Sequence, residues 1–126
     1  MSIRTPLAKV RGLGSAGQGT DHFWLQRLTA VANVVLVCFL IGLIVRLIGQ
    51  DHATVRATLA NPLVSLGLLL LILSGTIHMR LGMQTIIEDY VTSEGPKIAA
   101  IMLNTFFAIF VALASIYSVL KLSFGA

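Results

Sequence analysis

Three long apolar runs constrain the fold of this chain more than any other feature of the sequence. They extend over about residues 23–49, 63–90 and 98–122, and the second becomes more polar towards its end. A membrane-spanning α-helix needs about 20 consecutive, predominantly apolar residues, which each run provides. Asn61-Pro62 is a typical helix start, and Gly95-Pro96 is expected to stop a helix. The sequence therefore predicts an all-α membrane protein with three transmembrane helices.

The composition supports a membrane protein and argues against a nucleic-acid-binding one. Hydrophobic residues make up 56% of the chain and charged residues 11%, whereas soluble domains carry about 25% charged residues. The net charge is +4, but the basic residues lie at the ends of the apolar runs and form no patch with aromatic residues. We interpret them as determinants of membrane topology. Cys38, the single cysteine, cannot form an intramolecular disulfide and is expected to be a packing residue.

The chain divides into a polar N-terminal tail, residues 1–22, and a three-helix membrane domain, residues 23–126. The first twenty residues, MSIRTPLAKVRGLGSAGQGT, contain no apolar h-region, so they do not resemble a secretory signal peptide. They are rich in Gly and short polar residues, and we expect most of their length to lack regular helix. A mitochondrial transit peptide remains a weaker alternative.

The distribution of Lys and Arg predicts the orientation of the three spans in the membrane. Six basic residues lie on the side of the N-terminus and three on the other side; they are Arg4, Lys9, Arg11, Arg27, Arg80 and Lys97, against Arg46, Arg56 and Lys121. Basic residues accumulate on the cytoplasmic side, so the N-terminus is predicted to be cytoplasmic and the C-terminus outside. Three helices bury little surface among themselves, and we expect the chain to join a larger helix bundle.

His78 interrupts the second apolar run, and mostly small residues share its helical face. At spacings of three, four, seven and eleven these residues are Gly67, Leu71, Ser74, Gly75, Gly82, Thr85 and Asp89. Such a face lets a second helix, or a flat cofactor, approach the backbone. His78 is therefore either a packed residue with a hydrogen bond to a neighbouring helix or one axial ligand of a haem. In the second case, another helix or chain must supply the other ligand.

Asp89 and Tyr90 follow His78 by eleven and twelve residues, or about 16 Å along a helix. The hydrocarbon core is about 30 Å thick, so His78 lies near its middle if Asp89 and Tyr90 lie at the cytoplasmic interface. A phenol there can donate a hydrogen bond to the carbonyl of a lipid-soluble molecule, and a nearby carboxylate can relay a proton. The alternative is an aromatic belt residue beside a solvated helix end.

Polar residues on the other two helices have simpler interpretations. His22, Gln26, Thr29 and Asn33 share one face of the first helix. Beside them, Arg27 is expected to meet lipid phosphates or a carboxylate such as a haem propionate. The third helix carries a narrow stripe that we interpret as a packing seam: Asn104, Ala108, Ala112, Ser115 and Val119.

Arg80 and His22 are two further polar residues in or beside the apolar runs. Arg80 is expected to reach the cytoplasmic headgroups or to face a partner subunit, and the role of His22 stays open.

The sequence contains no P-loop, dinucleotide-binding turn, paired metal carboxylates or Cys cluster. A self-contained active site is therefore not predicted.

The motif His78-x-x-x-Gly82 followed by Asp89-Tyr90, on the second of three helices, resembles the hydrophobic membrane anchor subunits of succinate dehydrogenase. The segment GSAGQGTDHFWLQRLTAVANV, in which Arg27 opens the first helix, is also similar to that family. The resemblance extends from about Gly12 to the end of the chain.

The resemblance implies a role for each of these residues. His78 would be an axial ligand of haem b, and its iron would take the second ligand from a cytochrome b556-type anchor subunit. Asp89 and Tyr90 would flank the ubiquinone-binding site, with Tyr90 hydrogen-bonded to a quinone carbonyl. Arg27 would lie near the haem propionates and the quinone pocket.

The resemblance also implies the assembly in which the chain works, which is respiratory complex II. A flavoprotein subunit and an iron–sulfur subunit would sit on the cytoplasmic face, and electrons from succinate would pass through flavin and iron–sulfur clusters to ubiquinone. This chain would catalyse nothing alone, would contact membrane lipids and would bind no nucleic acid. We expect it in a bacterial inner membrane, and with less support in a mitochondrial inner membrane.

Two other functions remain compatible with the residues. The chain could be a purely structural membrane subunit without a cofactor, in which His78 packs against a neighbouring helix. It could instead be a component of a small proton-coupled transporter, with His78 or Asp89 relaying a proton. Transporters usually have more helices or inverted repeats, and the sequence shows neither.

Overall fold

The computed structural model describes residues 5–12 and 19–125, apart from the side chains of Ala8 and Lys9. Within these residues the chain forms five helices and no strand: α1 Pro6–Val10, α2 Gly19–Leu47, α3 His52–Leu59, α4 Pro62–Tyr90 and α5 Glu94–Phe124. Three of them, α2, α4 and α5, are long and apolar enough to cross a membrane. The predicted all-α fold with three transmembrane helices is confirmed.

The ends of the long helices differ in part from the predicted limits. Asn61 caps α4 as expected, because its Oδ1 accepts a hydrogen bond from the Leu63 amide at 3.0 Å and Pro62 occupies the first turn. At the next break, α5 begins at Glu94, so that Gly95 and Pro96 lie inside its first turn. Amides of a first turn have no partner within the helix, and a proline there removes no hydrogen bond.

Two short helices lie outside the three predicted spans. In the polar tail, α1 covers Pro6–Val10, and the remainder of the tail up to α2 lies largely outside the described residues. In the first connection, α3 begins after Asp51, whose Oδ1 accepts a hydrogen bond from the Thr54 amide at 3.1 Å. The side chain and the backbone amide of Thr54 both lower the pKa of Asp51 through hydrogen bonding. A capped helix therefore occupies the connection between the first two spans.

Helix α4 is the centre of the bundle, with α2 packed on one side and α5 on another. Gly67 of α4 lies against the ring of Phe39 of α2, and a Cβ at Gly67 would fall 2.8 Å from Phe39 Cε1. On the other side, Asn104 of α5 donates a hydrogen bond from Nδ2 to the Arg80 carbonyl oxygen at 2.9 Å. Asn104 and Ala108 of the predicted packing seam of α5 are both buried, and its other members are half-buried.

The bundle has little interior of its own. No described side chain is less than 2% exposed, and the buried residues are few and half of them polar: Thr29, Leu43, Ser65, Leu81, Asn104 and Ala108. Large apolar side chains are exposed along all three long helices, for example Val34, Leu103 and Phe110. Lipid or other subunits must cover these surfaces.

Candidate functional site

His78 makes its closest polar contact with α2, where its Nδ1 lies 3.1 Å from Thr29 Oγ1. Thr29 is only 6% exposed. Its Oγ1 also lies 2.8 Å from the Leu25 carbonyl oxygen and 3.1 Å from that of Gln26. A hydroxyl has one proton to donate, and a helix carbonyl cannot donate, so the Thr29 proton goes to α2 itself. Thr29 Oγ1 therefore accepts the hydrogen bond, and His78 Nδ1 carries the proton that is donated.

This hydrogen bond determines which nitrogen of His78 is available to a ligand. With the proton on Nδ1, the neutral imidazole presents the lone pair of Nε2. One turn earlier on α4, Ser74 Oγ donates a hydrogen bond to the Thr29 carbonyl oxygen at 3.3 Å. The backbone and the side chain of Thr29 are thus both tied to α4, which fixes the imidazole relative to both helices.

His78 opens onto a groove between α2 and α4 with a volume of about 440 Å³. Apart from His78, its lining comes from α2 and is mostly apolar: Ala30, Asn33, Val34, Val37 and Cys38. The Oδ1 atom of Asn33 is buried without a hydrogen-bond partner among the described residues. The groove is therefore a largely apolar surface with one imidazole and one amide.

The small residues around His78 have two different roles. Helix α2 approaches Gly67 and also Gly82, where an added Cβ would lie 4.0 Å from Gln26 Nε2. A Cβ at Gly75, by contrast, would meet no atom within 4 Å. The face thus serves helix packing at its two ends and leaves open space beside Gly75, three residues before the imidazole.

The chain can supply only part of a metal site. No group of three or more His, Cys, Asp or Glu residues capable of holding a metal ion occurs in the described part of the chain. A haem needs only one or two axial ligands from protein, because the macrocycle supplies the other four. A single histidine with Nε2 available, beside an open apolar groove, fits one axial position of a haem and does not fit a metal ion bound by protein side chains alone.

Asp89 and Tyr90 end α4 at a distance from His78 of about 16 Å along the helix axis. Both are exposed, Tyr90 to 82%. Neither side chain forms a hydrogen bond or an ion pair with any other described residue. Their neighbour Glu88 differs, since its Oε1 accepts a hydrogen bond from Gln84 Nε2 at 2.8 Å. The phenol and the carboxylate of the Asp89–Tyr90 pair are therefore both available to a ligand or another subunit.

Arg27 is exposed and lies on the outer side of α2. Its guanidinium carbon is 5.0 Å from the centre of the Phe23 ring, and Phe23 meets Trp24 edge to face at 5.7 Å. Because Thr29 faces His78 and Gln26 faces Gly82, Arg27 lies nearer to the level of His78 than to that of Asp89. The structure does not bring Arg27 into contact with Asp89 or Tyr90.

Two other polar residues singled out in the sequence have distinct environments. The Nε2 atom of His22 is buried and has no hydrogen-bond partner in the described part of the chain. The Arg80 side chain is exposed, as contact with headgroups or with a partner subunit would require. Thr29, whose contact with His78 was not predicted, had one visible signal: it shares a polar face with Gln26 and Asn33.

Comparisons with known proteins place the chain in one family. The model of the family described as "succinate dehydrogenase/fumarate reductase transmembrane subunit" matches residues 1–113. A succinate dehydrogenase hydrophobic membrane anchor subunit from Paracoccus denitrificans is 32% identical over 126 residues, which cover 100% of this chain and 97% of the relative.

Two further relatives have similar names. The hydrophobic membrane anchor subunit of succinate dehydrogenase from Rickettsia bellii is 29% identical over 93% of this chain and 94% of its own length. The succinate dehydrogenase membrane anchor subunit of Reclinomonas americana is 31% identical over 72% of this chain and 78% of its own. No solved structure matches the chain significantly.

Proposed function

This chain belongs to the succinate dehydrogenase/fumarate reductase transmembrane subunit family, and we propose that it anchors succinate:ubiquinone oxidoreductase while contributing one haem b ligand and part of the ubiquinone site. The family supports a multi-pass membrane anchor that works in a complex with catalytic subunits. The observation that carries the finer proposal is the 3.1 Å contact between His78 Nδ1 and Thr29 Oγ1, because it leaves His78 Nε2 available to iron.

His78 would hold the haem iron through Nε2, and Thr29 would hold His78. Haem b supplies one-electron redox chemistry when bound. A histidine ligand that donates its other ring N–H to a fixed acceptor keeps its orientation and becomes a stronger ligand. The apolar groove along Ala30, Val34 and Val37 would exclude water from the macrocycle. The open space at Gly75 supports the approach of a flat group beside the imidazole.

The second axial ligand would come from a cytochrome b556-type anchor subunit. The groove contains no second histidine among its lining residues, and it opens to the outside of the bundle. The exposed apolar side chains of α2 that border the groove, such as Val34 and Val37, support a partner helix there. In this arrangement the haem would lie between the two anchor subunits.

Tyr90 and Asp89 would bind and protonate ubiquinone at the cytoplasmic end of α4. The Tyr90 hydroxyl would donate a hydrogen bond to one quinone carbonyl, and Asp89 would relay a proton towards it. Reduction to ubiquinol consumes two electrons and two protons, and the electrons would come from succinate through flavin and iron–sulfur clusters. The exposure of both side chains supports a site completed by other subunits. Arg27, also exposed, would face a haem propionate.

The distribution of basic residues supports an orientation with the N-terminus in the cytoplasm. An N-terminus in the cytoplasm places Asp89 and Tyr90 on the side where the flavoprotein and iron–sulfur subunits would dock. The relatives from Paracoccus and Rickettsia support a bacterial inner membrane. The chain would act only as a subunit, in contact with membrane lipids.

A specific observation also favours a second candidate, a purely structural subunit. The hydrogen bond between His78 and Thr29 is one that a packed histidine makes between two helices without any cofactor. The two candidates differ in the use of Nε2, which is a haem ligand in one and idle in the other.

A reduced-minus-oxidised absorption spectrum of the purified complex tests the proposal. We expect a b-type signal in the wild type, its loss or alteration in His78→Ala, and no change in the matched variant His52→Ala, since His52 lies beyond the far end of α2. Thiol labelling of the chain's single cysteine, Cys38, gives a second readout, because it lines the same groove. Labelling should increase in His78→Ala if haem is lost. A wild-type complex without a haem signal would leave the structural candidate.

A further inference from the structure

A second groove lies at the opposite end of the bundle from Tyr90, between α3 and the last turns of α5. Its volume is about 490 Å³, and its lining combines basic, hydroxyl and apolar side chains: His52, Arg56, Tyr117, Ser118, Lys121 and Leu122. Nothing in the proposed electron-transfer function uses these residues.

The groove brings together two cations from different helices. Arg56 lies on α3 and Lys121 in the last turn of α5. No acidic residue lines the groove, and neither cation forms an ion pair with a described residue. The acid closest in sequence, Asp51, uses its carboxylate to cap α3 through the Thr54 amide. Two unpaired cations that face one cleft favour an anionic ligand.

A neighbouring groove extends the site in an apolar direction. This neighbouring groove has a volume of about 460 Å³ and shares Arg56 and Leu122 with the first. The rest of its lining consists of Ala53, Ala57, Ala60, Ser123, Phe124 and Gly125. Apart from Arg56 and Ser123, its lining carries no polar side chain. A ligand with a negatively charged head and an apolar body would match the two clefts together.

The position along the helices points to the same class of ligand. Lys121 and Leu122 lie where the third span ends, and α3 packs against α5 at that level. At the end of a membrane span, phospholipid headgroups are the abundant phosphates, and their acyl chains lie beside the apolar helix faces. Free phosphate would use the cations but would gain nothing from the apolar cleft.

We propose that the α3–α5 groove is a binding site for the headgroup phosphate of an anionic phospholipid. The Arg56 guanidinium can bind two phosphate oxygens side by side, and Lys121 adds a point charge. The Tyr117 and Ser118 hydroxyls lie in the same lining and can contact the headgroup, while Leu122 and the neighbouring cleft take the glycerol and the first carbons of an acyl chain. The proposal requires only that the chain spans a membrane, and it is independent of haem and quinone.

Native mass spectrometry of the intact, detergent-purified complex tests this site. The complex is titrated with phosphatidylglycerol, with phosphatidylcholine of the same acyl chains, and with inorganic phosphate. Removal of one cation near a membrane surface is expected to lower the affinity for an anionic lipid about fivefold. The double variant Arg56→Gln with Lys121→Gln should therefore weaken phosphatidylglycerol binding about 25-fold. The matched control Arg46→Gln removes a cation at the same end of the bundle that lies outside this groove, and it should leave that affinity unchanged.

A charge-preserving variant separates a lost site from a damaged fold. Arg56→Lys with Lys121→Arg keeps both charges and should bind phosphatidylglycerol within a few-fold of the wild type, in a complex of unchanged subunit mass. A photoreactive phosphatidylglycerol should also crosslink to peptides of α3 or α5, and less so in the double Gln variant. Equal binding of the two lipids, a preference for inorganic phosphate over both, or an unchanged affinity in the double Gln variant would each overturn the proposal.

Discussion

Thr29 on α2 accepts a hydrogen bond from His78 on α4, with 3.1 Å between Oγ1 and Nδ1. The donor is identified by the other contacts of Thr29, whose hydroxyl proton goes to the α2 backbone. One threonine thereby sets both the tautomer and the orientation of the only histidine in the middle of a span. Its role in the proposed haem site is to position the ligand.

Replacing Thr29 by Val should weaken haem retention while leaving the complex assembled. Loss of a hydrogen-bond partner of a metal-ligating histidine typically lowers metal affinity on the order of tenfold to hundredfold. The readouts are the haem-to-protein ratio and the midpoint potential of the b-type signal. Thr29→Ser should restore both. The control Thr76→Val removes a hydroxyl that donates only to carbonyls of α4. Equal effects of Thr29→Val and Thr76→Val would contradict a positioning role.

Tyr90→Phe should lower the rate of ubiquinone reduction on the order of tenfold while the haem spectrum stays intact. The Phe ring cannot donate the proposed hydrogen bond to the quinone carbonyl. That hydrogen bond would strengthen as the quinone is reduced, so its loss slows the reaction. The Tyr90 hydroxyl makes no hydrogen bond with a described residue, so it has no visible structural role within the chain. Succinate oxidation with a soluble artificial acceptor is the control assay and should be unchanged. Unaltered quinone kinetics would remove Tyr90 from the site.

Asp89→Asn should slow ubiquinone reduction on the order of a hundredfold, the lower end of the range typical of general acid–base catalysis. Succinate oxidation with an artificial acceptor should be affected much less. The matched control is Glu88→Gln, the adjacent acid, which already accepts a hydrogen bond from Gln84. If both assays fell equally for Asp89→Asn, the defect would lie in assembly and not in the quinone site.

Gly67→Val should destabilise the complex by about 1–3 kcal/mol, the usual cost of overpacking. A Cβ at this position would already lie 2.8 Å from Phe39 Cε1, so either the Phe39 ring would have to move or α2 and α4 would have to separate. Gly42→Val on α2 is the control, since a Cβ there meets no atom within 4 Å. Thermal unfolding of the purified complex, followed by circular dichroism, gives the comparison. Equal shifts of the unfolding midpoint in both variants would show that the close approach at Gly67 is not the cause of the destabilisation.

The three spans were predictable because a membrane leaves a helix few alternatives. Every backbone polar group must be satisfied inside the apolar region, so a long apolar run implies a helix. The helix ends were less predictable, because Gly95 and Pro96 are compatible both with a break and with a first turn. The short α3 begins at a single cap, Asp51, and its eight residues include only two large apolar side chains, Val55 and Leu59.

The candidate site residues could be selected from the sequence, but their mutual contacts could not. His78 stood out as an ionisable residue inside a span, and Thr29 lay on a recognisable polar face. Their pairing depends on the register of α2 against α4, which Gly67 and Phe39 help to set through a contact far along the chain. Periodicity within one helix carries no information on that register.

The sparse interior of the bundle affects how long the unassembled chain persists in a cell. In the described part of the chain no side chain is fully buried, and Arg80 is exposed on a membrane helix, which is costly for a chain without its partners. We expect its steady-state level to follow the supply of its partner anchor. Synthesis of the two chains in equal numbers would then limit waste, and overproduction of this chain alone would shorten its half-life.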